Sequence, residues 1–404
     1  MVSRESWIGI AFFGAILCGA QPVVADEQIL YAFCSQPACA DGQFPYASVI
    51  ADDAGNLYGT TSVGGDSGLG VVFKLTPDGT ETVLHSFKGG SDGAIPYAGL
   101  AFDASGNLLG TTSAGGGSTQ CGDVGCGTVF KIAPDGTETI LHAFCLGKRL
   151  CRDGISPFAG VTLDGAGNIY GTTQYGSIDM HLDNGIVFRV TPDGREKIVW
   201  SFGGGGDGAN PMGGVFLDDK LGILGTASAD SGGCGCAGAI YRVRQNGIET
   251  LLYKFPLTYE RGPQSSLTPD GKGHFYGTTP NGQTPGTVYK LTPPRNVVTL
   301  HTFGGNGDDG FEVYAEGVAY YKGNLYGVSV GGGGGPPYEG TIFELTPSGA
   351  ETILHRFVMS PDGDTPYATP TVFDGDLYGT TAFGGTTGCG GRGCGTVFKY
   401  GPLH

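Results

Sequence analysis

Four histidines stand at one position of a repeated segment, and an imidazole is both a metal ligand and an acid–base group near neutral pH. They are His85, His142, His301 and His355. A ring of metal ligands would need a ligand in every repeat, but Tyr31, Trp200 and Tyr253 stand at the equivalent positions. Since an aromatic side chain cannot replace a ligand, the pattern favours flat side chains that pack between outer strands.

A second recurring set consists of aspartates that each precede a glycine. They are Asp41, Asp92, Asp153, Asp207, Asp309 and Asp362, and Arg261 takes the place in the fifth repeat. Six carboxylates on one face, near the mouth of a ring, would attract Ca²⁺ or a basic ligand. An Asp-Gly pair also makes a turn, which alone would recur in every repeat. We favour the turn and keep Ca²⁺ as the candidate ligand; whether a metal is bound stays open.

Aromatic residues follow four of these aspartates at a distance of five residues, and they could offer stacking faces to a sugar. They are Tyr46, Tyr97, Phe158 and Tyr367. The alternative is core packing at the start of a strand. Asp179, His181 and Asp183 alternate in one loop of the third repeat and are weak catalytic or metal-ligand candidates, against the alternative of an exposed polar loop.

Ten of the eleven cysteines fall in pairs that are close in sequence. The pairs are Cys34 with Cys39, Cys121 with Cys126, Cys145 with Cys151, Cys234 with Cys236, and Cys389 with Cys394. Zinc needs four converging ligands, whereas these pairs lie in different repeats. We therefore expect five local disulfides, of which the one closed over a single residue, Cys234 to Cys236, is the least secure.

Residues 1–25 are typical of a cleaved secretory signal peptide. Arg4 precedes an apolar run from Trp7 to Ala20, and Val23 and Ala25 supply small residues before a cleavage site. The eleventh cysteine, Cys18, lies inside this segment. We expect residues 26–404 to form one mature domain that is secreted or periplasmic, without a membrane span.

Composition excludes several classes of protein. The chain has 404 residues, of which 78 are glycine and 23 are proline, so it favours short strands joined by turns over helices. The hydrophobic fraction of 39% is enough to build a substantial core. A formal charge of −16 would repel a phosphate backbone, so we expect no nucleic-acid partner.

Three motifs return along the chain in a fixed order. NLYGTT at residue 56 has seven versions, spaced 50 to 61 residues apart, and GVVFKL at residue 70 also has seven. ETVLHSF at residue 81 also has seven versions, but only six of them follow a copy of the second motif. The seventh, EQILYAF at residues 27–33, lies at the opposite end of the mature chain, as in a ring whose last blade is completed by the N-terminal strand.

The repeats predict an all-β, seven-bladed β-propeller with four antiparallel strands per blade. Strand a contains a small-residue segment such as Tyr97–Phe102, and the three motifs form strands b, c and d. Short turns join a to b and c to d, whereas the b-to-c and d-to-a loops are long, individual and rich in cysteine. These loops must emerge together on one face, which we name the variable face and expect to carry the function.

The combined motifs resemble the GloVer tandem repeats of secreted bacterial proteins, over residues 27 to 400. That resemblance implies an exported repeat protein, often with a C-terminal surface anchor, and the chain departs from it by ending at His404 without an anchor segment.

We favour a monomeric, non-catalytic module that binds a glycan, a protein or an envelope component through the variable face. The alternative is a hydrolase or lyase of the propeller type with a metal ion at the channel mouth.

Overall fold

Seven sheets of four antiparallel strands are present in the computed structural model, which describes residues 26–147, 151–176, 184–203, 207–229, 237–244, 247–256, 262–280, 285–304, 309–311, 313, 317–332, 339–358 and 361–403. Each sheet is one blade, and its strands a to d follow one another from the channel to the outer edge. The predicted seven-bladed propeller is therefore confirmed.

The blades have similar strand bounds. Blade 1 contains Ile50–Ala51, Leu57–Thr61, Val71–Leu75 and Glu81–Ser86. Blade 2 contains Ala101–Phe102, Leu108–Thr112, Thr128–Ile132 and Glu138–Ala143. Blade 3 contains Thr162–Leu163, Ile169–Thr173, Ile186–Val190 and Glu196–Ser201. Blade 4 contains Phe216–Asp218, Gly222–Ala227, Gly238–Val243 and Glu249–Phe255.

The remaining three blades follow the same order. Blade 5 contains Thr268–Pro269, Phe275–Thr279, Thr287–Thr292 and Asn296–Thr302. Blade 6 contains Ala319–Tyr321, Asn324–Ser329, Thr341–Leu345 and Glu351–Arg356. Blade 7 contains Thr371–Phe373, Asp376–Thr381, Thr396–Gly401 and the N-terminal strand Asp26–Ala32.

The ring closes as the sequence predicts. Asp26–Ala32 pairs antiparallel with Thr396–Gly401, so the N-terminal strand is strand d of blade 7. At the inner side, Thr380 Oγ1 of blade 7 donates to the carbonyl oxygen of Ala47 at 2.9 Å. The same bond joins blade 1 to blade 2, where Thr60 Oγ1 donates to Ala98 O at 3.1 Å. The junction between blades 7 and 1 therefore has the same inner hydrogen bond as the junction between blades 1 and 2.

Strand a is shorter than predicted, because only Ala101 and Phe102 of the predicted segment pair with strand b. The residues before them approach the neighbouring inner segment instead. A Cβ on Gly99 would lie 2.8 Å from Ser48 Oγ, and one on Gly160 would lie 3.2 Å from Gly99 O. Backbones this close to one another explain the small residues at the centre of the ring.

Aromatic pairs join neighbouring blades across the core. Phe33, at the end of strand d of blade 7, packs edge-on against Phe73 of blade 1 with 5.1 Å between ring centroids. The six other junctions contain Phe87 with Phe130, Phe144 with Phe188, Phe202 with Tyr241, Phe255 with Tyr289, Phe303 with Phe343, and Phe357 with Phe398. One belt of aromatic rings therefore runs around the propeller.

The two kinds of long loop meet on the variable face. Gly93–Ala94 of a d-to-a loop pairs with Ala114–Gly115 of a b-to-c loop, and Gly363–Asp364 pairs with Phe383–Gly384. A third such ladder joins Gly310–Phe311 to Gly331–Gly332. Short 3₁₀ helices at Pro37–Cys39, Gly122–Val124 and Cys389–Gly391 lie in these loops.

Four of the five expected disulfides are formed, and all four lie in loops of the variable face. They are Cys34–Cys39, Cys121–Cys126, Cys145–Cys151 and Cys389–Cys394. Cys234 and Cys236 lie outside the described residues, as does the expected signal peptide. Within the described ranges, no helix has the length and apolar character needed to cross a membrane.

Closure of the ring can be tested by comparing the closing junction at Phe33 with an internal junction at Phe87. Both side chains are fully buried and make equivalent contacts. F33A and F87A should each lower the free energy of unfolding by about 3–5 kcal/mol, measured by equilibrium denaturation in guanidinium chloride. If strand Asp26–Ala32 were a loose tail, F33A would stay within about 0.5 kcal/mol of the wild type while F87A was destabilised.

Candidate functional site

The aspartates of the Asp-Gly series lie at the junctions between outer strands of neighbouring blades, which we name the seams. Each accepts a backbone N–H from the residues that follow strand d, as Asp92 does from Lys88 at 2.9 Å and Asp362 does from Val358 at 3.0 Å. Asp309 and Asp207 accept from Gly304 and Gly203 at 3.1 and 3.0 Å. These bonds hold the residues that leave strand d, and both the predicted turn into strand a and ligand binding by the aspartates stay predictions.

Five seams also hold a glutamate that was not singled out in the sequence, and it lies at or next to the start of strand d in the next blade. Glu138 lies beside Asp92, and Glu351 lies beside Asp309. Burial raises the pKa of both glutamates to about 8, and the neighbouring aspartate adds to the rise. Burial likewise raises the pKa of Glu27, Glu81 and Glu249 to about 7.

The sequence contains a pattern that reflects this pairing of an aspartate with a glutamate, but the pattern can be recognised only with the structure at hand. In the fifth repeat the aspartate position is Arg261 and the glutamate position is Val297, so both members are replaced together.

The histidines face these carboxyl pairs as well as packing on aromatic rings. His85 lies edge-on to Phe87 at 4.8 Å between centroids, as the packing explanation expects. Its Nε2 also lies 3.4 Å from Asp92 and 3.6 Å from Glu138. His301 and His355 repeat this arrangement, and His142 Nε2 lies 3.2 Å from Asp153 Oδ2.

The four aromatic candidates form a continuous rim at the variable-face mouth of the channel. Tyr367 contacts Tyr46 with 5.2 Å between centroids, and Tyr97 contacts both Tyr46 and Phe158 at 5.5 Å. All four are half-buried. Met212 and Gln264 take the equivalent positions in blades 4 and 5 and line a channel cavity of about 260 Å³. Two residues at positions equivalent to the rim therefore line the channel.

A polar cluster beside the rim comes from three loops and was missed in the sequence. Arg392 Nη2 donates to Asp364 Oδ2 at 2.7 Å, and its guanidinium lies 4.1 Å from the centroid of the Phe383 ring. Burial and a hydrogen bond with Asp364 raise the pKa of Glu339. Burial also raises the pKa of Tyr46, and the charge of Arg392 opposes that rise. The cluster is thus within electrostatic reach of the rim.

The loop with Asp179, His181 and Asp183 lies outside the described residues, as does Arg261. The three loop residues stay weak candidates from sequence.

Comparison with known proteins identifies the repeat. A family model described as the Gloeobacter/Verrucomicrobia repeat matches residues 21–239 and again residues 224–404. No curated protein is recognisably similar in sequence.

Several solved structures share the chain path at low identity. A gluconolactonase from Xanthomonas campestris is 15% identical, with 93% of this chain and 89% of that chain covered and a TM-score of 0.43. A PQQ-bound aldose sugar dehydrogenase from Streptomyces coelicolor is 12% identical, with 94% and 99% covered and a TM-score of 0.43. A luciferin-regenerating enzyme is 12% identical, with 93% and 95% covered and a TM-score of 0.45. At these identities the likeness says nothing about residues or activity.

The seam at Glu81 makes stability depend on pH. Its pKa is about 7 in the folded protein against an ordinary value of 4.5, with burial as the main cause and Asp41 as the second. Gln36 Nε2 also donates to Glu81 at 3.3 Å. The proton that Glu81 keeps on folding stabilises the fold at about pH 5, and this contribution is lost as the pH rises through about 7. E81Q, which mimics the protonated acid, should be more stable than the wild type at about pH 8 and equal to it at about pH 5.

We expect E81Q to raise the free energy of unfolding by about 1–2 kcal/mol at about pH 8. This is less than the full pKa shift implies, because solvent screens a half-exposed group. Thermal and urea unfolding at both pH values measures it. D66N, which removes an exposed carboxylate from the same face, should change stability by less than about 0.5 kcal/mol at either pH. Equal effects of E81Q at the two pH values would contradict the expected proton uptake.

Proposed function

Since the chain belongs to the Gloeobacter/Verrucomicrobia repeat family, we propose that it is a secreted, non-catalytic module that binds a glycan at the channel mouth of its variable face. The observation that carries this proposal is the aromatic rim of Tyr367, Tyr46, Tyr97 and Phe158. The disulfides support an extracytoplasmic location, because such bonds persist in oxidising compartments.

The rim has the properties of a sugar-binding surface. Aromatic rings offer a flat apolar face to the C–H groups of a sugar, and tyrosine adds a hydroxyl for hydrogen bonding. Rings that are half-buried and in mutual contact lose little conformational freedom when a ligand binds. A contiguous row across four blades suits an extended oligosaccharide better than a compact small molecule.

Arg392 supplies a fixed polar group beside the rim. Its side chain is 53% exposed, yet it is held by Asp364, whose side chain is 1% exposed, and by the ring of Phe383. An arginine anchored in this way presents its remaining N–H donors without first losing side-chain entropy. We infer that it hydrogen-bonds to sugar hydroxyl or carboxyl groups.

The catalytic alternative would draw on Glu339 and Asp364, since a carboxylic acid of raised pKa beside a second carboxyl group resembles an acid–base pair. Both residues are buried, with exposed fractions of 4% and 1%. A ligand at the mouth meets Arg392 before it meets either carboxyl group. We therefore assign this pair to positioning Arg392 and favour binding over hydrolysis or lyase chemistry.

The rim is tested by removing its rings one at a time. Y46A and Y97A should each weaken oligosaccharide binding about tenfold or more, because each removes a stacking face from the centre of the row. Isothermal titration calorimetry with cello-, chito- and malto-oligosaccharides measures the affinities, and melting curves verify that the variants fold.

Y58A is the matched control, because Tyr58 is a half-buried tyrosine on strand b whose hydroxyl bonds to Asp52 in an a-to-b turn, away from the mouth. It should leave the affinity unchanged. Absence of binding to all three oligosaccharides would overturn the glycan as ligand, and binding that survived both rim substitutions would overturn the site.

A further inference from the structure

We propose that three seams of the propeller are binding sites for a divalent transition metal such as Zn²⁺, each made of a histidine, an aspartate and a glutamate. The sets are His85 with Asp92 and Glu138, His301 with Asp309 and Glu351, and His355 with Asp362 and Glu27. In each set the histidine belongs to one blade and the glutamate to the next, so a bound ion would link neighbouring blades. The proposal is independent of glycan binding at the mouth.

The separations between the ligand atoms fit a tetrahedral metal site. His85 Nε2 lies 3.4 Å from Asp92 and 3.6 Å from Glu138, and His301 Nε2 lies 3.5 Å from Asp309 and 3.8 Å from Glu351. These distances are long for hydrogen bonds, which cluster near 2.9 Å. Zinc bonds of about 2.0–2.1 Å to nitrogen and oxygen place tetrahedral ligands about 3.3–3.4 Å apart. The histidine-to-carboxylate separations are therefore close to those of a tetrahedral site, and all three ligand atoms of each set lie within 4.8 Å of one another.

All three residues of the His301 set carry a buried polar atom that has no hydrogen-bond partner. Among the described residues, His301 Nε2, Asp309 Oδ1 and Glu351 Oε1 are buried atoms that make no hydrogen bond. The side chain of Asp309 is only 8% exposed. An unpartnered buried polar group costs about 1–3 kcal/mol, and a cation bound between His301 Nε2, Asp309 Oδ2 and Glu351 Oε2 would give the histidine nitrogen a partner. One glutamate oxygen is unpartnered at seams with a histidine, as at Glu138, and at seams without one, as at Glu81, so the unpartnered nitrogen is what distinguishes the His301 set.

The seam that has tyrosine in place of histidine behaves differently. Tyr31 donates its hydroxyl to Asp41 at 2.8 Å, and Ser35 donates both its backbone N–H and its hydroxyl to the same carboxylate at 2.8 and 2.9 Å. This aspartate is saturated by protein donors. At the Trp200 seam, Asp207 and Glu249 remain, but an indole N–H cannot bind a metal. Both seams serve as internal controls.

The donor set selects the kind of metal. One imidazole and two carboxylates suit Zn²⁺ and related transition metals, whereas Ca²⁺ prefers six to eight oxygen ligands. The fourth position is open to water, since the side chain of His355 is 22% exposed. At the His142 seam, both oxygens of Asp153 already accept the N–H of Cys145 at 3.2 Å, so we expect weaker binding there.

The test is to titrate the mature protein with ZnCl₂ by isothermal titration calorimetry at neutral pH, after removal of metals with EDTA. We expect three sites per chain in the micromolar range, one for each set. H85Q, H301Q and H355Q should each lower the stoichiometry by one, and Co²⁺ should give a tetrahedral visible absorption that weakens in step. Zn²⁺ should raise the melting temperature of the wild type, since it binds only the folded state.

E81Q and E249Q are matched controls, because they alter the equivalent glutamate at seams that lack a histidine. They should leave both the stoichiometry and the Co²⁺ absorption unchanged. The proposal is overturned if millimolar Zn²⁺ gives no saturable binding, which would leave each carboxyl pair to share a proton instead. It is equally overturned if binding persists unchanged in the single histidine variants, each of which is verified as folded by circular dichroism.

Discussion

The whole ring depends on a contact between a glycine of strand b and an aromatic ring of strand c. In blade 1, a Cβ on Gly59 would lie 2.6 Å from the ring of Phe73, so no other residue fits there without displacing that ring. Because Gly59 makes room, Phe73 lies flat across its own sheet and presents its edge to Phe33 of the preceding blade. Gly110 and Gly171 stand in the same relation to Phe130 and Phe188, at 2.5 Å. The glycine of the recurring YGTT segment thus sets how one blade packs on the next.

That packing also determines where polar residues lie. The d-to-a segment runs from the outer edge of one blade towards the centre of the next, and five residues span at most about 16–18 Å. Asp92 and Tyr97 are therefore at opposite ends of the same short segment, with the aspartate at the outer seam and the tyrosine at the mouth. The aspartates and the aromatic residues recur with the same spacing in the sequence but have different surroundings in the structure. An acidic outer seam and an aromatic inner rim therefore coexist on one face.

The sequence was sufficient for what each repeat specifies by itself. Turn chemistry, the strand motifs and the displaced copy at residues 27–33 predicted the blades and their closure, and the spacing of the cysteines predicted four observed disulfides. The partners of Asp92 could not be predicted in the same way, because Glu138 comes from the next blade, and nothing in either motif states which residues of adjacent blades face each other. The sequence could not predict the polar cluster of Arg392, Asp364 and Glu339 for a different reason. They come from three loops, and other residues occupy the corresponding positions of the other repeats, so no periodicity marks them.

A seam differs from its neighbours mainly through one residue of strand d. With tyrosine at that position, as at Tyr31, the hydroxyl donates to the aspartate and completes its hydrogen bonds. His301 Nε2 lies near two carboxyl groups without a hydrogen bond to either, whereas His355 Nε2 lies 3.2 Å from Asp362 Oδ2. The aspartate caps the same turn in both cases, so the fold tolerates the exchange while the chemistry of the seam changes. A repeat protein with strict structural symmetry thereby acquires distinct polar sites through single substitutions, because the backbone geometry is already satisfied by the residues that do not vary.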